Sequence, residues 1–76
     1  MRQIEVAQGI TAYDEHHGTD CCGLLRALNE DPKAVMTAEE LGGPEIVRFL
    51  EGKWCIYRNG GGWSITVSGS HTVRFL

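Results

Sequence analysis

The segment Asn59-Gly60-Gly61-Gly62 constrains this chain more than any other. On either side of it stand runs rich in aromatic and β-branched residues, Lys53 to Arg58 and Trp63 to Ser68. Such runs around a glycine-rich tip predict a β-hairpin. A four-residue loop at 59–62 sets Arg58 against Trp63, Ile56 against Ile65 and Trp54 against Val67. A slip of one residue would turn every one of these side chains to the other face, so the register is specified. The glycines join two strands and do not open a helix, which removes a phosphate-cradling loop.

A third run, His71 to Leu76, follows a turn centred on Gly69 and extends the hairpin into a three-strand antiparallel meander. With a three-residue loop at 68–70, Val67 meets His71, Ile65 meets Val73 and Trp63 meets Phe75. The inner face is then Trp54, Ile56, Trp63, Ile65, Val67, Val73 and Phe75. The outer face carries Lys53, Cys55, Tyr57, Ser64, Thr66, Thr72 and Arg74.

Upstream the periodicity changes. Cys21, Leu24, Leu25 and Leu28 recur at i, i+3, i+4 and i+7, one buried stripe of a helix over 20–29. Thr19 or Asp20 caps it, and Asn29-Glu30-Asp31-Pro32 stops it. Thr37-Ala38-Glu39-Glu40 matches a capping box and predicts a short helical turn. Pro44 opens a further helix, with Ile46, Val47, Phe49 and Leu50 as its apolar side and Gly52 at its end. At the N-terminus Ile4, Val6, Ile10 and Ala12 share parity, which predicts a strand over 3–8, with Tyr13 to Gly18 as a loop. The expected fold class is α+β in a single domain, 1–76. An antiparallel sheet, the N-terminal strand plus the C-terminal meander, carries two or three short helices packed on one face.

Size limits what such a chain can do. A chain of 76 residues hides only about 60% of its unfolded surface, which leaves little material for a catalytic cleft. No apolar run approaches the roughly 20 residues of a membrane span, and Met1 to Val6 alternate polar with apolar, unlike a secretory signal. The three cysteines, Cys21, Cys22 and Cys55, are odd in number and two are adjacent, the pattern of reduced thiols in a cytoplasm. The net charge of −3 conceals a division. Residues 1–51 hold all ten acids against Arg2, Arg26, Lys33 and Arg48, whereas residues 52–76 hold Lys53, Arg58 and Arg74 and no acid. An acidic part therefore faces a basic one, each suited to a different partner.

Chemistry-bearing residues cluster in one place. His16, His17, Cys21 and Cys22 are zinc-ligand types, but adjacent pairs point their side chains apart, so neither a metal nor a cofactor is expected. Cys21 stands at a helix N-terminus, where the dipole favours thiolate. The run Thr19-Asp20-Cys21-Cys22-Gly23-Leu24-Leu25 resembles the helix start of the NlpC-type cell-wall cysteine peptidases, and Trp54-Cys55-Ile56-Tyr57-Arg58-Asn59-Gly60 resembles the strand and turn that follow in that family. The resemblance implies peptide hydrolysis with Cys21 as nucleophile. Lys53 stands where the family's base histidine would open that strand, Cys22 stands in place of its serine, and the only downstream histidine is His71. For nucleic acid, the outer sheet face offers one aromatic, Tyr57, and two cations, Lys53 and Arg74; direct binding is not expected.

The leading expectation is a non-enzymatic interaction protein, an inhibitor or regulator. Asp14, Glu15, Asp20, Glu30, Asp31, Glu39, Glu40 and Glu45 fall in loops and at helix ends, placed to dock on a basic surface of a larger protein, such as a nucleic-acid-binding complex, and block it. Small blockers of this kind include phage-encoded anti-CRISPR proteins, which work in the host cell cytoplasm. The expected state is a monomer or weak homodimer without a membrane contact. Replacing Asp14, Glu15, Glu39 and Glu40 together by alanine is expected to weaken docking and spare the fold.

Overall fold

The computed structural model describes residues 2–76 as helices and one two-strand antiparallel sheet. In order these are α1 (Gln3–His17), α2 (Cys21–Glu30), α3 (Ala38–Leu41), α4 (Pro44–Gly52), β1 (Ile56–Asn59), β2 (Gly62–Ile65) and α5 (Val67–Val73).

The middle of the chain follows local chemistry. Asp20 accepts the Gly23 amide to start α2. At α3 the Thr37 hydroxyl accepts the Glu40 amide at 3.2 Å while the Glu40 carboxylate accepts the Thr37 amide at 3.1 Å, the reciprocal capping box. Gly42 and Gly43 turn the chain, and Pro44 takes the first turn of α4. The hairpin register is the expected one, Ile56 against Ile65 and Arg58 against Trp63. At its tip the Arg58 guanidinium lies 5.0 Å from the centre of the Trp63 ring.

Two expected strands are helices. The N-terminal segment is α1, and the Tyr13–Gly18 loop is its last turn and left-handed cap. The shared parity of Ile4 and Ala12 misleads, because both are exposed; the residues buried are Val6, Ala7 and Ile10, with Tyr13 packed beside them. Positions 6, 10 and 13 recur at i, i+4 and i+7, a helical stripe.

The third strand of the meander is α5. Thr66 turns the chain by accepting the Gly69 amide at 2.8 Å and so caps a helix start. Gly69 fits because a Cβ there would collide with the Cys55 carbonyl. The edge of β2 that a third strand would need is already taken. Met36 exchanges both backbone hydrogen bonds with Trp63, at 2.9 and 2.8 Å, and the Ser64 hydroxyl donates to the Ala34 carbonyl at 2.7 Å. The Val67–His71, Ile65–Val73, Trp63–Phe75 and Trp54–Val67 pairs therefore do not form. Trp54, Val67 and Phe75, expected on the inner face, are exposed, while Cys55, Ser64 and Thr72, expected outside, are fully buried.

One core joins the elements. Val6 and Ile10 of α1, Leu25 and Leu28 of α2, Leu41 of α3, Leu50 of α4 and Ile56 and Ile65 of the hairpin meet in a single apolar cluster. α1 packs on α2 and α5, and α4 packs on β1. Tyr13 stacks on Phe49 with ring centres 3.8 Å apart and lies 4.1 Å from the His17 ring, tying the end of α1 to α4.

Candidate functional site

The site begins at the junction of α1 and α2. Asp14, in the last turn of α1, reaches across to the start of α2: one carboxylate oxygen accepts the Cys21 amide at 2.8 Å and the Thr19 hydroxyl at 2.7 Å, and the other accepts the Cys22 amide at 3.0 Å. Partial burial alone would raise its pKa, but hydrogen bonds from the Cys22 amide, the Thr19 hydroxyl and the Cys21 amide outweigh it and hold the carboxyl at about 2. Asp14 is thus a structural staple between two helices.

Asp20, one turn away, caps α2 with one oxygen. Gly23 makes this possible, since a Cβ at that position would overlap the Asp20 carboxylate. Leu24, Ala27, Leu41 and Ile46 form the floor of a groove of about 460 Å³ between α2 and the α3–α4 turn, with Asp20 and Glu40 on its rim. A second cavity of about 430 Å³ shares Thr19, Gly42 and Ile46 with the first and adds Tyr13, His17, Pro44 and Glu45. The two adjoin along these shared residues. Between them their linings include three carboxylates, Asp20, Glu40 and Glu45, and no lysine or arginine. Asp20 and Glu40 each use one oxygen in a cap, which leaves the second oxygen of each outside the cap.

The eight acids named from the sequence fall into separate groups. Asp20, Glu40 and Glu45 converge on the groove, with Glu39 exposed next to Glu40 on α3. Asp14 is spent in the staple. Glu30 and Asp31 lie at the far end of α2, where Asp31 accepts the Lys33 amide at 3.0 Å. Glu15 is exposed on α1, away from the groove lining. Because Asp14 and Glu40 hold helix starts, the fourfold alanine replacement expected to spare the fold would instead loosen it.

The cysteine and histidine candidates behave differently from their sequence expectation. Cys21 is fully buried, and burial together with the Asp14 carboxylate pushes its thiol up to about 12, the opposite of the activation expected at a helix start. Cys55 is likewise buried and pushed up to about 11. His71 lies on α5, lining a cavity of about 230 Å³ with Val67 and Arg74, far along the chain from Cys21. Among the described residues no three His, Cys, Asp or Glu side chains group to hold a metal ion, and no helix is long and apolar enough to cross a membrane.

Sequence reasoning missed the groove floor. Leu24 and Ile46 were readable as apolar helix positions, but the groove they line depends on how α2, α3 and α4 meet, a tertiary effect. Comparison with protein-family models, with curated proteins and with solved structures finds no match for this chain.

Proposed function

We propose that the protein is a small non-enzymatic interaction module, an inhibitor or regulator, whose groove receives a cationic segment with an apolar anchor from a larger protein. The observation that carries this reading is the apolar floor of Leu24, Ala27, Leu41 and Ile46 rimmed by Asp20, Glu40 and Glu45 with no cation in the lining. An apolar anchor supplies affinity by burial, and the carboxylates select a lysine- or arginine-bearing segment and speed its encounter.

A nucleic-acid reading is favoured by shape. The order helix, paired strand residue, helix, glycine turn, helix and hairpin is that of a winged helix–turn–helix, an architecture that lays its second helix in a DNA major groove. Charge argues against it here. The exposed side chains of α3 are Glu39 and Glu40, and those of α4 include Glu45 and Glu51 beside the single cation Arg48. Phosphate neutralisation supplies most non-specific affinity for DNA, and this face repels phosphate. The same shape with the opposite charge suits a protein that itself offers a basic, nucleic-acid-binding surface. Occupying such a surface is how a cytoplasmic blocker of the anti-CRISPR kind would act.

Fluorescence anisotropy separates the two. A labelled peptide bearing one leucine or tryptophan between lysines is expected to bind and to weaken as salt rises, while labelled duplex DNA stays free. Binding of the duplex with no binding of the peptide would overturn the proposal.

A further inference from the structure

Trp54 stands at the corner where α4 gives way to β1, with φ +61°, and is the one non-glycine residue at positive φ among those described. Its side chain is 75% exposed. Left-handed backbone is unfavourable for a bulky residue, and here no burial of the indole offsets it. The surroundings impose the geometry. The Trp54 amide donates to the Glu51 carbonyl at 2.9 Å, the Cys55 amide to the Leu50 carbonyl at 3.1 Å, and the Thr66 amide to the Cys55 carbonyl at 2.9 Å. The Thr66 hydroxyl also donates to the Trp54 carbonyl. Val67, 76% exposed, follows Thr66 directly. A strained corner held from several sides, displaying a large aromatic to solvent, has the character of a binding anchor.

We infer that Trp54 of one copy inserts into the groove between α2 and the α3–α4 turn of a second copy, in a head-to-tail contact. The inference rests on reading that groove as the receptor for a cationic, apolar-anchored segment. Three features of the chain select a second copy as occupant. First, the charges are complementary: no acid follows Glu51, and Arg74 lines the same cavity of about 230 Å³ as Val67, whereas Asp20 and Glu40 line the groove and Glu45 the cavity beside it. Second, the size is suitable, since a groove of about 460 Å³ lies within the roughly 300–1,000 Å³ of small-ligand sites. Third, the groove lies at the start of α4, at Ile46, and Trp54 lies beyond the other end of that helix, which runs six further residues, about 9 Å, from Ile46 to Gly52. A molecule therefore offers its anchor and its groove in different places, and the contact is heterologous. A second copy and the cationic segment of a partner would compete for the same groove.

Sedimentation velocity from micromolar to millimolar protein tests this with two variants. Trp54→Ala removes the anchor, and Ala27→Arg, at an exposed position of α2, fills the groove. The unaltered protein is expected to gain apparent mass with concentration and to lose that gain at high salt. Each variant alone is expected to remain monomeric, and an equimolar mixture of the two is expected to form one-to-one pairs, because each keeps the half the other lacks. Trp54→Gly, which suits the left-handed backbone, repeats the test if the alanine variant folds poorly. A protein that stays monomeric at millimolar concentration, or variants that fail to pair when mixed, overturns the inference. Titrating the lysine-bearing peptide into Trp54→Ala in parallel separates the two levels. Peptide binding without self-association rejects only the contact between copies, and no peptide binding rejects the groove reading beneath it.

Discussion

The helical part up to Gly52 and the hairpin with α5 hold their backbone with different polar groups. In the first, carboxylates accept backbone amides at helix starts and turns: Asp14 for Cys21 and Cys22, Asp20 for Gly23, Asp31 for Lys33 and Glu40 for Thr37. In the second, hydroxyls donate to backbone carbonyls: Ser64 to Ala34, Thr66 to Trp54 and Thr72 to Ser68. The difference teaches that charge counted along a chain mixes two quantities. Half of the eight acids assigned to docking are already engaged in local structure, and only those whose charge still faces open surface can meet a partner. The second part, built without acids, locks its backbone with neutral groups and so keeps its basic, aromatic surface free of anions.

Substitutions that strike one part and spare the other sharpen this contrast. The largest effect is expected at Gly69, where a valine would drive its branched side chain into the Cys55 carbonyl and the Ile65 side chain. Overpacking against backbone should cost about 3 kcal/mol, read as a lower urea midpoint. An unchanged midpoint would mean that α5 does not rest on the Cys55 corner.

Asp14→Asn tests the helical part. Loss of the charged acceptor should cost about 1–2 kcal/mol. The pH dependence gives the sign. A carboxyl at about 2 in the folded protein and 3.8 unfolded contributes stability that is full above the unfolded value and is lost as pH falls through the folded one. The unaltered protein should therefore lose this contribution between about pH 4 and 2, and in Asp14→Asn that part of the acid sensitivity should vanish. Equal acid unfolding profiles would show that the staple is not formed.

What could be read from the sequence follows the same division. Caps and turns built from neighbouring residues were legible: a cap at Thr19 or Asp20, Thr37 with Glu40, Pro44, and the hairpin register at Ile56 and Ile65. The staple was not, because Asp14 and Cys21 are joined only once α1 folds back on α2. The α1 helix was obscured by Ile4 and Ala12, apolar residues that fall on exposed positions and imitate alternation. The stretch 67–76 reads as a strand by composition, with Val67, Thr72, Val73 and Phe75, yet the Thr66 cap and the occupied edge of β2 decide for a helix. Of the site, three rim acids were named in advance, while the groove they surround depends on how α2, α3 and α4 meet.

Smaller effects come from the displayed residues. Trp54→Gly should raise stability by up to about 1 kcal/mol, since glycine adopts the left-handed region without a steric cost; a loss of stability would show that the indole packs on the fold. Glu39→Gln combined with Glu45→Gln should leave the urea midpoint within about 0.5 kcal/mol of the original, since neither side chain caps a helix. The same pair should still weaken the binding of the lysine-bearing peptide.

The central claim is that the groove under Asp20, Glu40 and Glu45 is the docking site for a cationic segment, and amide chemical-shift mapping tests it most directly. The labelled protein is titrated with the lysine-flanked leucine peptide and, separately, with its glutamate-flanked counterpart. The account predicts shifts confined to Leu24, Ala27, Leu41, Gly42 and Ile46 with the first peptide and none with the second. Shifts centred on the hairpin and α5, or an equal response to the acidic peptide, would contradict it.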